Sequence, residues 1–445
     1  MNMHVLQEVI FIIVLIGAGV LFAAKTRQIG RNIRLGKEEP LTGDAALRWK
    51  HVLLYALGQK KMFRYPLVGV LHFWIYAGFI IINLEILEIV LDGISGTHRL
   101  FAAPLGALYP WLIDGFEVLA VLVLLACVVF LIRRNILKVK RLNTADLKGW
   151  PRRDANIILV TEICLMTLFL VMNACDTLLQ QRGYGHYARH LTGNFLVSGQ
   201  LQPLLGRLSS PELEGLERGC WWLHITGILA FLNYLPYSKH FHIILGFPNT
   251  YYAPLEPQGK MENMPGVQQE VKYIFQPELA PAASPDGAGA PVPKFGAKDI
   301  FDLSRRQLLQ AYSCTECGRC SAACPANQTG KKLSPRKIMM DTRDRLEEVG
   351  RNIKANGSFT DDGKTLLHNY ISPEELRACT TCNACVTECP VSISPLSIIL
   401  ELRRAMIMEE SSAPQEWNAL FSNVENNFAP WKFSPEDRGA WAAEG

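Results

Sequence analysis

Five long runs of apolar residues dominate the first half of the chain. They lie at about residues 5–24, 66–90, 110–132, 155–179 and 220–238. Each run is close to the ~20 residues that a helix needs to cross about 30 Å of hydrocarbon. The first run has no basic segment before it and no small-residue cleavage site after it, which favours a membrane span over a signal peptide. The pattern predicts an all-α bundle of five transmembrane helices within residues 1–252.

Basic residues are unevenly distributed among the loops between these runs. Ten Lys or Arg lie in 25–64 and eight in 133–153, against one in 92–109 and four in 181–219. Lys and Arg are enriched in cytoplasmic loops. We therefore expect a multi-pass protein of the cell inner membrane, with the N-terminus outside and the second half of the chain in the cytoplasm. Cytoplasmic thiols stay reduced, which argues against disulfides there.

The amino-acid composition of the chain changes after residue 252. Residues 253–297 are rich in Pro, Gly and Ala, which predicts a linker between domains. Residues 298–410 have helical periodicity and contain an internal repeat, in which Ser334-Pro335 and Ser394-Pro395 mark equivalent helix starts. This pattern predicts a helical domain.

An aromatic tail, 411–445, ends the chain. It contains Trp431, Phe433 and Trp441, which are too many large aromatic residues for a solvated tail. Packing against its own domain and docking of a partner are equal alternatives for this segment.

Composition narrows the classes of function. Of the 445 residues, 49% are hydrophobic, which fits a membrane half joined to a soluble half. The 45 basic and 41 acidic residues give a net charge of only +4. No overall basic field favours nucleic acid, so we expect no nucleic-acid partner.

Eight of the twelve cysteines lie in two matching runs of the form C-x2-C-x2-C-x3-C-P. This spacing is typical of ferredoxin domains with two [4Fe-4S] clusters, in which the fourth cysteine of each run ligates the other cluster. The first cluster then takes Cys314, Cys317, Cys320 and Cys389, and the second takes Cys379, Cys382, Cys385 and Cys324. The alternative is a pair of zinc sites, although zinc ligands usually come from two separated pairs.

Two histidines are candidates for haem ligation. His72 lies near the cytoplasmic end of the second predicted span, and His242 lies just past the cytoplasmic end of the fifth. Two imidazoles at one depth on neighbouring helices are able to ligate a haem iron from both sides. The alternatives are that His72 only forms a hydrogen bond within the bundle, that His242 is an interfacial residue, or that His240 takes its place.

The outer half of the bundle contains further candidates. His224 precedes His242 by eighteen residues, or about 27 Å along a helix, which leaves room for a second redox group or a quinone pocket. Glu85, Glu88 and Glu117 are expected at a similar depth. They are candidates for quinone or proton handling, and solvation at the interface is the alternative.

The membrane half resembles the cytochrome b (gamma) subunit of respiratory nitrate reductases and the membrane subunit of heterodisulfide reductase. The cysteine-rich half is similar to the small iron–sulfur subunit of heterodisulfide reductase. The first resemblance implies an inner haem b on His72 and His242. The partner expected for His224 on the second helix is replaced by Ile82, so an outer haem lacks one of its ligands. A fusion of these modules is similar to membrane subunits of quinone-interacting oxidoreductases.

These observations predict an electron-transfer subunit of a quinone-linked oxidoreductase complex, in which a five-helix cytochrome b bundle is joined to a two-cluster ferredoxin domain. The expected cofactors are two [4Fe-4S] clusters and one haem b, or two if His224 contributes, with menaquinone or ubiquinone as substrate. The chain has no adjacent cysteines, so the resemblance implies a separate cytoplasmic flavoprotein or Cys-Cys-Gly iron–sulfur subunit as partner. The alternatives are a membrane-anchored iron–sulfur sensor or scaffold without quinone chemistry, and a zinc-bearing anchor.

Overall fold

The computed structural model describes residues 3–41, 43–189, 191–261, 263–280, 294–432 and 434–443. Over these residues the chain is mainly helical and forms no β-strand. A bundle of long apolar helices makes up the first half. A smaller helical domain with both cysteine sets packs on one end of this bundle. Phe433 of the tail and residues 281–293 of the predicted linker lie outside the described residues.

Nine α-helices form the described part of the first half. They are α1 (Met3–Ile33), α2 (Ala45–His51), α3 (Pro66–Ser95), α4 (Ala102–Leu105), α5 (Leu108–Leu131), α6 (Trp150–Gln181), α7 (Gln202–Leu205), α8 (Ser210–Tyr234) and α9 (His242–Tyr251). Helix α6 packs along α5 on one side and α8 on the other, and α3 packs on α5. Glycine permits one close approach, because a Cβ atom at Gly78 of α3 would collide with Val123 of α5.

Four helical segments in the described chain are long and apolar enough to cross a membrane. They are Val5–Ile33, Pro66–Ser95, Leu108–Ile136 and Trp150–Gln181. The fifth predicted span, 220–238, is not among them. It covers the second part of α8, which ends at Tyr234, and the short 3-10 turn Leu235–Tyr237. This segment carries polar or amphipathic side chains at Trp222, His224 and Asn233.

Nine α-helices are described in the second half. They are α10 (Pro265–Phe275), α11 (Arg305–Ser313), α12 (Arg319–Ala323), α13 (Pro325–Gln328), α14 (Pro335–Asn356), α15 (Pro373–Arg377), α16 (Ala384–Glu388), α17 (Pro395–Arg404) and α18 (Gln415–Asn427). The Ser-Pro signals begin α14 and α17 as the sequence predicts. The Ser334 side chain accepts a hydrogen bond from the N–H of Lys337, and Ser394 accepts one from Ser397.

The linker and the tail differ in part from the prediction. The predicted linker contains a helix, α10, although all of its residues are exposed or half-buried. The cysteine-rich domain begins slightly before the predicted residue 298, because the N–H groups of Phe295 and Gly296 donate to Glu409 and Ala297 is fully buried. In the tail, α18 buries none of its described residues, so this helix is not part of the domain core.

A continuous apolar core joins the two halves. Ile29 of α1 and Phe241 belong to the same buried cluster as Leu308 and Leu346 of the cysteine-rich domain. Helix α1 runs beyond the bundle and contacts α11 and α14. The side chain of Asn32 donates to the hydroxyl of Tyr312 at 2.8 Å, and only a glycine fits beside it at position 350. The cysteine sets are therefore held against one end of the bundle.

Candidate functional site

The two cysteine sets share one backbone conformation. In each set the third cysteine lies in a short helix, α12 or α16, and the fourth follows that helix directly. A left-handed residue precedes each helix, Gly318 with φ 74° and Asn383 with φ 61°. The equivalent residues Glu316 and Thr381 are also left-handed, with φ 53° and 55°. The sequence repeat is therefore a repeat of structure.

The fold brings the eight thiols together as two adjoining groups. The first group is Cys314, Cys317, Cys320 and Cys389, which line one cavity together with Cys385 of the second group. The second group is centred on Cys385. Its other members, all electrostatic neighbours of Cys385, are Cys379, Cys382 and Cys324. The fourth cysteine of each set thus lies with the first three cysteines of the other set. Helix α12 packs directly on α16, which keeps the groups side by side.

The surroundings of the thiols suit thiolate ligands. The N–H of Thr381 donates to Sγ of Cys379 at 3.4 Å, and the N–H of Ile393 donates to Sγ of Cys389 at 3.3 Å. Burial raises the pKa of the Cys314 thiol to about 12, so a bound metal centre has to displace its proton. Among the described residues, no three Cys, His, Asp or Glu side chains converge on one metal-ion position. A four-iron cluster spreads its ligands over four irons, whereas zinc gathers them round one ion.

His72 and His242 face each other with their rings 6.5 Å apart, centroid to centroid. The Nδ1–H of His72 donates to Oε1 of Gln59 at 3.0 Å, and that of His242 donates to the carbonyl of Lys239 at 3.0 Å. This outer hydrogen bond leaves Nε2 of each ring as the ligating atom. Two metal–imidazole bonds of about 2 Å, together with the ring radii, separate ring centroids by about 6.4 Å. The pair therefore fits a six-coordinate haem iron.

His240 is a neighbour of this pair. Its ring centroid lies 5.6 Å from that of His242 and 5.6 Å from that of Phe231. Its backbone N–H donates to the side chain of Ser238. The structure nevertheless favours His72 with His242, because Nδ1 of each of these rings has a hydrogen-bond partner.

Lys239 connects the histidine pair to the first cysteine set. Its carbonyl orients His242, and its ammonium group lies 2.6 Å from the carboxylate of Glu316, between Cys314 and Cys317. Burial alone would raise the pKa of Glu316, but Lys239 and Arg343 hold that pKa below its ordinary value. Glu316 therefore remains ionised, and its ion pair with Lys239 holds the cysteine loop against the end of the bundle.

A second connection comes from Arg319, between Cys317 and Cys320. Its Nη1 donates to the carbonyl of Lys61 at 3.2 Å, and its guanidinium lies 4.9 Å from the ring centroid of Tyr65. Arg319 is also a charged neighbour of His72. The loop before α3 is thus attached to the cysteine domain at the point where the histidine pair lies.

The predicted acids lie at the opposite end of the bundle and have different environments. Glu117 accepts from the N–H groups of Val197 and Ser198 and from Asn173. These bonds fasten the loop between α6 and α7. By contrast, Glu85 has no hydrogen-bond partner among the described residues, although it is buried.

Glu88 accepts hydrogen bonds from the hydroxyl of Tyr109 and the N–H of Phe101, at 2.8 and 2.7 Å. Arg99, which the sequence pattern does not single out, is an electrostatic neighbour of Glu88 and Glu85. The structure thus brings Glu85 and Glu88 close to one buried arginine. Because Arg99 lies in a loop, the helical periodicity of the sequence could not predict its contact with these acids.

His224 is fully buried in α8. Its Nδ1–H donates to the carbonyl of Leu165 at 3.0 Å, and its Nε2 has no partner among the described residues. The orientation repeats that of His72 and His242, but the neighbouring ring is Phe169, at 6.2 Å. His224 is separate from the charged neighbours of Glu85, which are Arg99 and two acids.

Residues 313–393, which contain both cysteine sets, match the family of 4Fe-4S dicluster domains. No solved structure matches the chain.

Two curated proteins are similar to most of the chain. The "Probable iron-sulfur-binding oxidoreductase FadF" of Bacillus subtilis is 26% identical over 98% of this chain and 61% of its own length. The "EtfAB:quinone oxidoreductase" of Syntrophomonas wolfei is 26% identical over 88% of this chain and 53% of its own. The chain therefore spans between half and two thirds of the length of these relatives.

A third relative is similar to a smaller part of the chain. It is one of the subunits of the "Ferredoxin/F(420)H(2)-dependent CoB-CoM heterodisulfide reductase" of Methanosarcina acetivorans, and it is 29% identical over 27% of this chain and 60% of its own length. The predicted likeness to subunits of heterodisulfide reductase is thus confirmed. The homologues of this chain are iron–sulfur oxidoreductases and electron-transfer subunits of oxidoreductase complexes.

Proposed function

We propose that the chain is a membrane subunit that transfers electrons between a cytoplasmic redox partner and the quinone pool. The observation that carries the proposal is the double role of Lys239. Its carbonyl orients His242, and its ammonium group holds Glu316 between two cysteines of the first set. One residue therefore fixes the distance between the two candidate cofactor sites, as an electron relay requires.

The eight clustered cysteines would hold two [4Fe-4S] clusters, with Cys389 and Cys324 exchanged between the sets. His72 and His242 would hold one haem b, and the 6.5 Å separation of their rings supports this. These groups supply one-electron transfer when bound. The protein contributes fixed positions: Gln59 and Lys239 orient the two imidazoles, and Arg319 ties the first cysteine set to the loop before α3.

In this proposal α8 is the fifth transmembrane helix of a bundle like that of the nitrate reductase gamma subunit. The basic residues in 25–64 and 133–153 favour a cytoplasmic location for the end that packs on the cysteine domain. The N-terminus and the Glu85 end of the bundle would then be outside. With α8 as the fifth span and the cysteine domain in the cytoplasm, a protease added to the cytoplasmic side is expected to reach α18.

Menaquinone or ubiquinone is the proposed membrane substrate. Reduction of one quinone takes up two electrons and two protons, and oxidation of the quinol releases them. The cytoplasmic partner supplies the electrons in the first case and receives them in the second. His224, Glu85, Glu88 and Glu117 remain the candidates for the quinone and proton sites.

The proposed partner is a cytoplasmic flavoprotein or a Cys-Cys-Gly iron–sulfur subunit. The chain contains no adjacent cysteines, so a Cys-Cys-Gly site would come from a separate subunit. The exposed aromatic side chains Trp417, Phe421, Trp431 and Trp441 are the proposed docking surface.

The proposal is tested by spectroscopy of the detergent-purified chain. About eight cluster irons and one b-type haem per chain are expected, and a quinol analogue should reduce the haem. Replacing His72 or His242 with Ala should abolish the haem and leave the cluster spectrum unchanged. Clusters without haem, in cells with adequate haem supply, would instead favour the alternative of an iron–sulfur sensor or scaffold.

A further inference from the structure

One buried carboxyl group is chemically different from its neighbours. Glu85 of α3 is 1% exposed, and neither of its carboxyl oxygens has a hydrogen-bond partner among the described residues. Burial of a polar group without a partner is unfavourable by several kcal/mol. Glu88 and Glu117, by contrast, have hydrogen-bond donors from loops. Glu85 therefore has no bond that stabilises the fold, and its oxygens are available to a ligand or a proton.

The nearest cation does not satisfy Glu85. The charged neighbours of Glu85 are Arg99, Glu88 and Glu117. Arg99 already donates from Nε to Asp176 at 2.8 Å and from Nη2 to Asn173 at 2.7 Å. Its remaining Nη1 contact is to Tyr109, at 3.3 Å. The guanidinium thus forms its hydrogen bonds with other groups, and it holds these groups in position near Glu85.

These groups form a polar route to the surface. Glu88 lies one helical turn from Glu85 and accepts from the hydroxyl of Tyr109 at 2.8 Å. Arg99 joins Tyr109 to Asp176, whose other oxygen lies 3.1 Å from Nε2 of His98.

His98 is the end of this route. Its side chain is 17% exposed, and its ring centroid lies 5.3 Å from that of His186. The polar route therefore reaches the surface on the side of the bundle opposite the cysteine domain.

We propose that Glu85 is the proton-exchanging carboxyl of the quinone site, and that the polar route of Glu88, Tyr109, Arg99, Asp176 and His98 holds the groups around it in place at the outer end of the bundle. Because a guanidinium is not deprotonated in proteins, Arg99 positions these groups and carries no proton. This inference rests on the proposed function for its substrate. During quinone reduction, the partner's electrons enter from the cysteine end, and the two protons come from water on the outer side, each by way of the Glu85 carboxyl. Quinol oxidation runs the same transfers in reverse.

Carbodiimide labelling tests the first part of the proposal without any redox activity. Dicyclohexylcarbodiimide enters apolar sites and adds to protonated carboxyl groups. We expect it to modify Glu85 about tenfold more than Glu88 or Glu117, whose oxygens are hydrogen-bonded. Peptide mass spectrometry of the full-length protein measures the labelling at each acid. Glu85→Gln, which has no carboxyl group at this position, is the control. Equal labelling of the three acids, or none at Glu85, would overturn the proposal.

Quinol kinetics test the second part. In Glu85→Gln we expect menadiol to reduce the haem about 100-fold more slowly, the usual contribution of a positioned acid or base, with haem and iron contents unchanged. Glu8→Gln is the control, because it removes a half-buried carboxylate near the same end of the bundle, beside Gly96, and its rate should equal that of the wild type.

The outcomes separate the two proposals. A wild-type rate in Glu85→Gln, or a loss of haem in that variant, would overturn the role of Glu85. A wild-type protein that menadiol cannot reduce would overturn the proposed function, while selective labelling would still identify Glu85 as a proton-exchanging group. His98→Gln should slow the reaction at least several-fold without changing the labelling of Glu85, because it removes the imidazole partner of Asp176 at the outer end of the route. An unchanged rate would show that this route does not support proton exchange at Glu85.

Discussion

The ammonium nitrogen of Lys239 lies 2.6 Å from a carboxylate oxygen of Glu316, and both side chains are almost completely buried. The two residues belong to different halves of the chain, yet one follows the bundle and the other lies between two cysteines. Glu316 also binds Arg343 at 2.8 Å, and Lys239 lies 4.0 Å from Asp154. A buried network of charged residues therefore fixes the position of the two halves relative to each other.

Replacing Lys239 with Met should destabilise the protein. Removing one partner of a buried ion pair leaves an uncompensated charge, and because Glu316 keeps Arg343 we expect a loss of about 2–3 kcal/mol. The thermal midpoint of the detergent-purified protein measures this loss. Lys260→Met is the matched control, since the Lys260–Glu256 pair is exposed and should contribute less than about 1 kcal/mol. Equal midpoints in the two variants would argue against a structural role for the buried pair.

Paired cysteine substitutions should reveal the exchange of the fourth ligands. If Cys389 belongs to the first group, Cys314→Ser with Cys389→Ser damages one cluster, and about four irons remain. Cys314→Ser with Cys324→Ser damages both clusters, and few irons remain. Iron and acid-labile sulfide analysis distinguishes the two results. The opposite pattern would mean that each set binds its own cluster.

Substitution of Gln59 should weaken haem binding without removing it. The Gln59 side chain orients His72 through a 3.0 Å hydrogen bond, and loss of such an outer-shell partner typically lowers affinity about 10- to 100-fold. Gln59→Leu should therefore contain haem that is lost on dilution in detergent, as followed by pyridine haemochrome analysis. His240→Ala should retain its haem, and loss of haem from that variant would identify His240 as a ligand in place of His242.

The sequence was sufficient for the parts of the site that depend on spacing. The cysteine runs identified the dicluster domain. Helix depth indicated that His72 could meet His242, with His240 as an alternative, and the resemblance to the nitrate reductase gamma subunit favoured His242. Gln59, Arg99 and Lys239 were not predicted, because each lies outside a regular helix and acts through a contact distant in sequence. The apolar pattern predicted a fifth span at 220–238, but α8 is not among the described helices that are long and apolar enough to cross a membrane, because it contains polar residues such as Asn233.

Two glycine substitutions should separate backbone strain from steric collision at the first cysteine set. Gly318 and Gly330 both have left-handed φ, at 74° and 82°, so Ala at either position should destabilise the backbone by about 1–2 kcal/mol. A Cβ atom at Gly318 would also lie 2.7 Å from the carbonyl of Arg141 and would collide with Arg336. A Cβ atom at Gly330 has open space around it.

Because the carbonyl of Arg141 belongs to the backbone, it cannot move aside as a flexible side chain would. Gly318→Ala should therefore displace the cysteine loop, lower the iron content and lower the thermal midpoint more than Gly330→Ala does. Gly330→Ala should keep its full iron content. If both variants keep full iron and lose equal stability, the approach of Gly318 to the bundle is not needed for the cysteine loop to adopt its binding conformation.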